Sequence, residues 1–402
     1  MNIFKSLYCY ELKKILQKKI VWITAIVVAV TFVISVVADM VGTYYVDGVA
    51  VDTYYHMYQT DRTYRQALDG RVIDQTLLEE MKAGYDKLPA GVEKYSLTEE
   101  YNIYARPYSA IFNWVKNMTG MYTAEALTWT ADEADMYARH ENYLKESWKA
   151  ELLTDEEKEF WQQKESELTL PVTYKFCDGY DKLMSLHYTV GIISLAAMAI
   201  CMAGIFTEEH TRKTDQLILC SRYGREKLYW AKLAAGVSFS ALLSIFYIGV
   251  SFLSVFVLHG LDGFTAPFRL LNAGYSYDLT VGEAILIMYG MIVAACIVTG
   301  VFTMVLSEWV ESNIGALSIV VGMIILSMFV NMPEHNRFIY QLWNYLPSNF
   351  VAVWSIFSKQ TVSVFGKIFT AWQAVPVMYM MAAVVLMMLG RVAYVKYQVK
   401  GR

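Results

Sequence analysis

Six separate stretches of this chain are apolar over about 20 residues each, the length a helix needs to cross the hydrocarbon core of a bilayer. They lie at 20–41, 187–206, 233–258, 284–306, 313–332 and 371–390. Backbone amides and carbonyls in such runs find no water in lipid, so each run has to satisfy its hydrogen bonds internally as a helix. The composition agrees, with 56% hydrophobic against 18% charged residues in 402. The expected fold class is an all-α polytopic membrane protein with six transmembrane helices, which excludes a soluble enzyme.

Basic residues orient the spans. With the N-terminus inside, the interior pieces hold five Lys/Arg before the first span, six in 207–232 and four in the tail 391–402. The two shorter outer loops hold four, Arg269, Arg337, Lys359 and Lys367. Both termini are therefore expected in the cytoplasm, in a multi-pass protein of the plasma membrane. The first run is long enough to span, and Asp39 near its outer end does not fit a small-residue cleavage site.

One polar insertion, 42–186, separates the first two spans and is expected to form a large, mainly helical extracellular domain. Residues 43–185 carry 26 Asp/Glu and 15 Lys/Arg, a net charge of −11, which leaves +7 for the remainder. Residues 124–150 lack Gly and Pro and read as helix, Thr154 with Glu157 reads as a capping box for 156–168, and Asp74 as the cap of 75–87. Its aromatics, among them Tyr44, Tyr45, Trp114, Trp129, Trp148 and Trp161, suit either a packed core or a surface that receives an amphipathic ligand. Cys177 is the one cysteine expected outside, so no intramolecular disulfide staples this domain.

The charged joint 207–232 is the other organising feature. Glu208 and Glu209 follow Thr207, a candidate N-cap, and acids suit the positive end of a helix. Leu217, Ile218 and Leu219 make an apolar tip, and Ser221-Arg222-Tyr223-Gly224 reads as a turn. Either this is a short helix held against the membrane with its tip free for a partner, or it is an ordinary charged loop. Upstream, Phe4, Leu7, Tyr8, Leu12, Ile15 and Leu16 recur at helical spacing, while Lys5, Lys13, Lys14 and Lys18 fall mainly elsewhere. Residues 1–19 thus read as an amphipathic helix lying on anionic lipid at the inner interface.

Within the third span Ser240, Ser244, Ser251 and Ser254 lie near one face, where they either line a substrate path or pack while bonding back to their own helix. No Asp, Glu, Lys or Arg occupies the centre of a span, which counts against an ion-coupled carrier. In 333–370 the apolar segments 338–346, 350–357 and 362–369 are expected to dip into the outer leaflet as helices and return, or to form an interfacial loop anchored by Trp343, Trp354 and Trp372. There is no phosphate-binding Gly-rich loop and no His-Glu-x-x-His. Glu208-Glu209-His210-Thr211-Arg212-Lys213 approaches the Glu-Glu-x-x-x-Arg pattern of intramembrane proteases, yet Lys213 stands in the arginine's place and no span supplies paired histidines. No catalytic residue, no metal site and no nucleic-acid partner is expected.

Three stretches, taken in order, carry a resemblance: Tyr10-Glu11-Leu12-Lys13-Lys14; then Glu208/Glu209, Thr214, Leu217, Leu219-Cys220-Ser221-Arg222 and Lys232; then Tyr345-Leu346-Pro347. This order resembles the permease subunits of type-2 ATP-binding-cassette exporters. The family's usual joint has an acid, Gly-Thr, Leu-Leu, Pro-x-Ser-Arg and Lys; here Lys213-Thr214 replaces Gly-Thr and the proline is missing. The resemblance implies that 1–19 is a connecting helix and that 208–219 is a coupling helix. Glu208, Glu209, Arg212, Leu217, Leu219 and Arg222 would then meet a separate ATPase subunit, present in two copies, and a second permease chain, identical or different, would complete the assembly. ATP and Mg²⁺ would belong to that partner, with no cofactor and no ATPase activity in this chain. The substrate expected is amphipathic: a peptide such as a bacteriocin or lantibiotic, a drug or a lipid. The alternative is a non-transporting sensor or scaffold whose outer domain binds a ligand and whose joint recruits a cytoplasmic partner.

Overall fold

The computed structural model describes residues 3–89, 94–211, 214, 218, 220–221 and 223–396. In chain order, α1 (Ile3–Leu16) and α2 (Lys19–Val37) are followed by the strands β1 (Thr43–Val46) and β2 (Val49–Thr53). Six helices come next: α3 (Tyr54–Ala67), α4 (Gln75–Tyr85), α5 (Ser109–Thr119), α6 (Thr123–Thr128), α7 (Glu133–Ala150) and α8 (Asp155–Ser166). Then come α9 (Asp178–Met202), α10 (Gly204–Thr211), α11 (Glu226–His259), α12 (Val281–Val310), α13 (Asn313–Phe329) and α14 (Arg337–Asn344). The strands β3 (Val362–Val364) and β4 (Lys367–Phe369) precede the last helix, α15 (Ala371–Lys396).

Five of these helical stretches are long and apolar enough to cross a membrane, spanning Lys19–Met40, Asp178–Glu209, Glu226–His259, Val281–Val310 and Ala371–Lys396. The sixth apolar run forms α13, which has 17 residues and so a length of about 26 Å. It closes at Val330 in an extended conformation, ahead of Pro333, which disfavours helix in the residue before it.

The chain divides into two compact units, Met1–Val33 with Ser185–Ser254 and Ile287–Arg402, and Ile34–Met184 with Val255–Leu286. In the first, the apolar helices approach through small residues, as helices in lipid do when packing rather than the hydrophobic effect holds them. A β-carbon on Gly300 would lie 2.4 Å from Ser240 Oγ, and one on Gly390 would lie 2.9 Å from Val305 Cγ2. The segment 362–369 departs from expectation. It is a β-hairpin, with Val362 opposite Phe369 and Val364 opposite Lys367, turning through Phe365 and Gly366 at φ of 51° and 76°. Two consecutive left-handed residues make the primed turn that matches strand twist, and the alternation Val-Ser-Val before it has the period of a strand. Of the other two segments, Arg337–Asn344 is a helix capped by Asn336, and 350–357 contributes only the single turns Pro347–Phe350 and Val353–Ile356.

The second unit has its own core. Ile73, Leu77 and Leu78 around α4 are fully buried together with Ile111, Met118 and Met136. The expected caps form: the Asp74 side chain accepts from Leu77 N, and Thr154 and Glu157 make both halves of a capping box. The stretch 124–150 is two helices rather than one, because Trp129 leaves α6 in an extended conformation and Asp132 then caps α7. Residues 255–286 also belong here. Phe268 N donates to Leu279 O at 2.9 Å, Val281 N to Ala266 O at 2.7 Å, and Trp114 Nε1 on α5 to Arg269 O at 3.1 Å. Arg269, counted from sequence only as a loop charge, is 4% exposed. Cys177 is a free, buried thiol, and burial pushes its pKa up to about 12.

Candidate functional site

The site is the base of the charged joint, in the first unit. Helix α9 yields at Ala203 and α10 continues to Thr211, so Glu208 and Glu209 sit in the last turns of a helix, not at its beginning. This corrects the expected N-cap: Thr207 is fully buried within α10 and its hydroxyl donates to Ala203 O at 3.2 Å. Acids at the negative end of a helix are opposed by its dipole. Three lysines from other segments offset that cost. Lys18 Nζ lies 2.9 Å from Glu208 Oε2, and Lys14 Nζ and Lys232 Nζ lie 3.2 and 2.6 Å from Glu209 Oε1.

Lys232 is the centre of this network. Its side chain is entirely buried one turn into the apolar part of α11; it donates to Ile205 O at 3.1 Å and lies 3.6 Å from Glu11 Oε2. A buried ammonium is tolerated only when paired and hydrogen-bonded, and here two carboxylates and a carbonyl meet it. Glu11 itself is 4% exposed, so α1 turns Glu11 and Ile15 inward and leaves Phe4 and Leu16 exposed. Burial pulls the Lys14 ammonium down, but Glu11 and Glu209 outweigh it and raise the pKa above its ordinary value. Lys18 reaches Gly204 O at 3.1 Å, an approach that a side chain at 204 would crowd.

The described residues of the turn are fixed on both sides. Thr214 N donates to Glu209 O, Ile218 N to Thr214 O, and Gly224 N to Ser221 O at 3.2 Å, which bears out the turn there. A β-carbon on Gly224 would sit 1.7 Å from Ile218 O, so only glycine fits. Beyond the turn, α15 is tied to it: Tyr394 OH donates to Gly224 O at 3.1 Å, Arg225 Nη1 to Val395 O at 3.3 Å, and Arg391 pairs with Glu226 at 2.5 Å. Phe206, Tyr229 and Tyr394 form a ring cluster with centroids 5.4 to 5.6 Å apart. Between α1 and the turn lies an open groove of about 500 Å³, lined in part by Leu7, Tyr10, Glu11, Ile218 and Tyr223.

Of the sequence-derived site residues, the structure brings Glu208 and Glu209 into one network. Arg212, Leu217, Leu219 and Arg222 lie outside the described residues. Ser240, Ser244 and Ser251 are buried and Ser254 half-buried. Ser244 and Ser254 donate back to Ala241 O and Val250 O, and Ser240 packs against Gly300. Sequence reasoning missed Glu11 and Lys232 as partners. The signal was present, since a lysine between Ala231 and Leu233 and an acid on an amphipathic helix are both costly unless they meet. Among the described residues no group of three His, Cys, Asp or Glu side chains is placed to hold a metal ion. No protein-family model, curated protein or solved structure matches the chain.

Proposed function

We propose that this chain is the membrane-spanning permease subunit of an ATP-binding-cassette exporter, with 1–19 as connecting helix and the joint at 207–232 as the element that docks on a separate ATPase. The observation that carries the reading is the buried Lys232–Glu209–Glu11 network. It binds α1, α10 and α11 into one block at the foot of the turn, and Tyr394 and Arg391 add α15. A push delivered to such a block by a partner's closure is passed on as rigid-body motion of the spans that continue from it, rather than absorbed in a loop. On this reading α13 is a sixth, short span, both termini are cytoplasmic, and the second unit stands outside the plasma membrane. Two ATPase subunits bind ATP and Mg²⁺, a second permease chain completes the pathway, and the cargo is amphipathic: a peptide, a drug or a lipid.

The test is association. Leu217→Asp and Leu219→Asp place a charge on the apolar tip and should abolish recovery of the ATPase with the tagged chain, while membrane insertion persists. Normal recovery with both variants would remove the docking assignment. A sensor or scaffold would also recruit a partner, but its presence would not govern that partner's ATP turnover.

A further inference from the structure

The second unit contains a partly open pocket of about 170 Å³ whose wall includes α3, α5, Tyr174 and Cys177, the first turn of α9 and the segment after Arg269. Its charged lining is Arg65, Asp178 and Asp181, its other polar groups include Asn113 and Asn117, and Trp114 supplies part of the apolar wall. Asn113 and Asn117 are one turn apart on α5 and both exposed, so their carboxamides face the same side. Asp178 is the informative residue. Its side chain is 5% exposed; Oδ1 accepts from Arg65 Nη1 at 3.0 Å, whereas Oδ2 is buried and meets no hydrogen-bond partner among the described residues. A buried carboxylate oxygen without a donor is costly, and such an atom lining a cavity is a place where a ligand's donor belongs. Two carboxylates against one guanidinium leave the lining with a net charge of −1.

We propose that this cavity binds a primary ammonium group on a short alkyl chain, from either a free amine or a lysine side chain. Three N–H donors would meet Asp178 Oδ2, Asp181 and an asparagine carbonyl, and one positive charge neutralises the lining. The methylenes would lie along Trp114 and Leu270. The volume of about 170 Å³ admits a chain of a few carbons and is too small to take up a lipid-sized cation whole. This site does not rest on the transport reading.

The experiment is calorimetric titration of the purified full chain with n-butylammonium, Nα-acetyl-lysine amide, a lysine-bearing peptide, and neutral n-butanol as the isostere. Saturable binding of the ammonium probes, none of butanol, and an affinity loss of about tenfold or more in Asp181→Asn is the expected result, such a loss being what one charge-assisted hydrogen bond is worth. Asp181 is exposed and takes no part in the Arg65 ion pair, so Asp181→Asn is the variant used, whereas Asp178→Asn would remove the buried charge that Arg65 meets. Binding of n-butylammonium alone identifies a free amine as the source, and binding of the peptide as well identifies a lysine side chain. Absence of saturable ammonium binding, equal binding of butanol, or unchanged affinity in Asp181→Asn would overturn the proposal.

Discussion

Lys232 Nζ and Glu209 Oε1 lie 2.6 Å apart at a point where the lysine side chain has no exposed surface and the glutamate only 9%. Removing one member of such a pair leaves the other charge buried and uncompensated, at a cost of about 3–5 kcal/mol. Lys232→Met and Glu209→Gln should each lower the thermal stability of the detergent-solubilised chain, and the double variant should lose clearly less than the two losses combined. Additive losses would show that the two groups do not interact.

Gly224→Ala tests the turn. The added methyl meets Ile218 O, a backbone atom that cannot rotate away, so the joint has to shift. A local cost of about 1–3 kcal/mol is expected, read as faster amide exchange over 218–228 while the rest of the chain exchanges as before. Unchanged protection would mean that the turn is not held as described.

Glu165 on α8 gives a pH prediction. Burial alone would raise its pKa, but hydrogen bonds from His140 and Ser276 and the charge of Arg269 outweigh that and lower it from 4.5 to about 2. His140 Nε2 lies 3.1 Å from Glu165 Oε1, and Arg269 Nη2 reaches the same oxygen at 3.1 Å. A depressed folded-state pKa means that the stabilisation is complete above the unfolded value and is lost as pH falls through the folded one. Stability of the second unit should therefore fall between about pH 4.5 and 2 in the wild type. Glu165→Gln should flatten that limb. An identical acid limb in the variant would rule out Glu165 as its source.

Topology is tested by labelling. Cysteines at Glu141 and Asp155, whose side chains are 66% and 94% exposed, should react with an impermeant maleimide on intact cells. Glu157 is unsuitable because its capping box buries it to 3%. Reaction only after permeabilisation would place the second unit inside.

The parts legible in the sequence were those set by local chemistry. Apolar runs mark the five long helices, Asp74 and Thr154 mark the starts of α4 and α8, and Gly224 marks the turn. The parts that escaped depend on residues distant in sequence. Local chemistry places Glu208 and Glu209 at a helix start, because acids suit that end. Their true position became affordable only through Lys14, Lys18 and Lys232, which come from two other segments. Likewise the 362–369 segment was read by hydrophobicity, whereas Phe365 and Gly366 set its backbone, and residues 255–286 joined the second unit through Arg269, a charge whose burial nothing local announces.

The most direct test of the permease reading is purification of the tagged chain from its native membrane, with ATP turnover measured on whatever accompanies it. The account predicts a phosphate-loop ATPase that stays bound and whose turnover changes when Lys232→Met or Leu217→Asp replaces the natural chain. Recovery of the chain alone, or of a partner whose ATP turnover is indifferent to those variants, would contradict it.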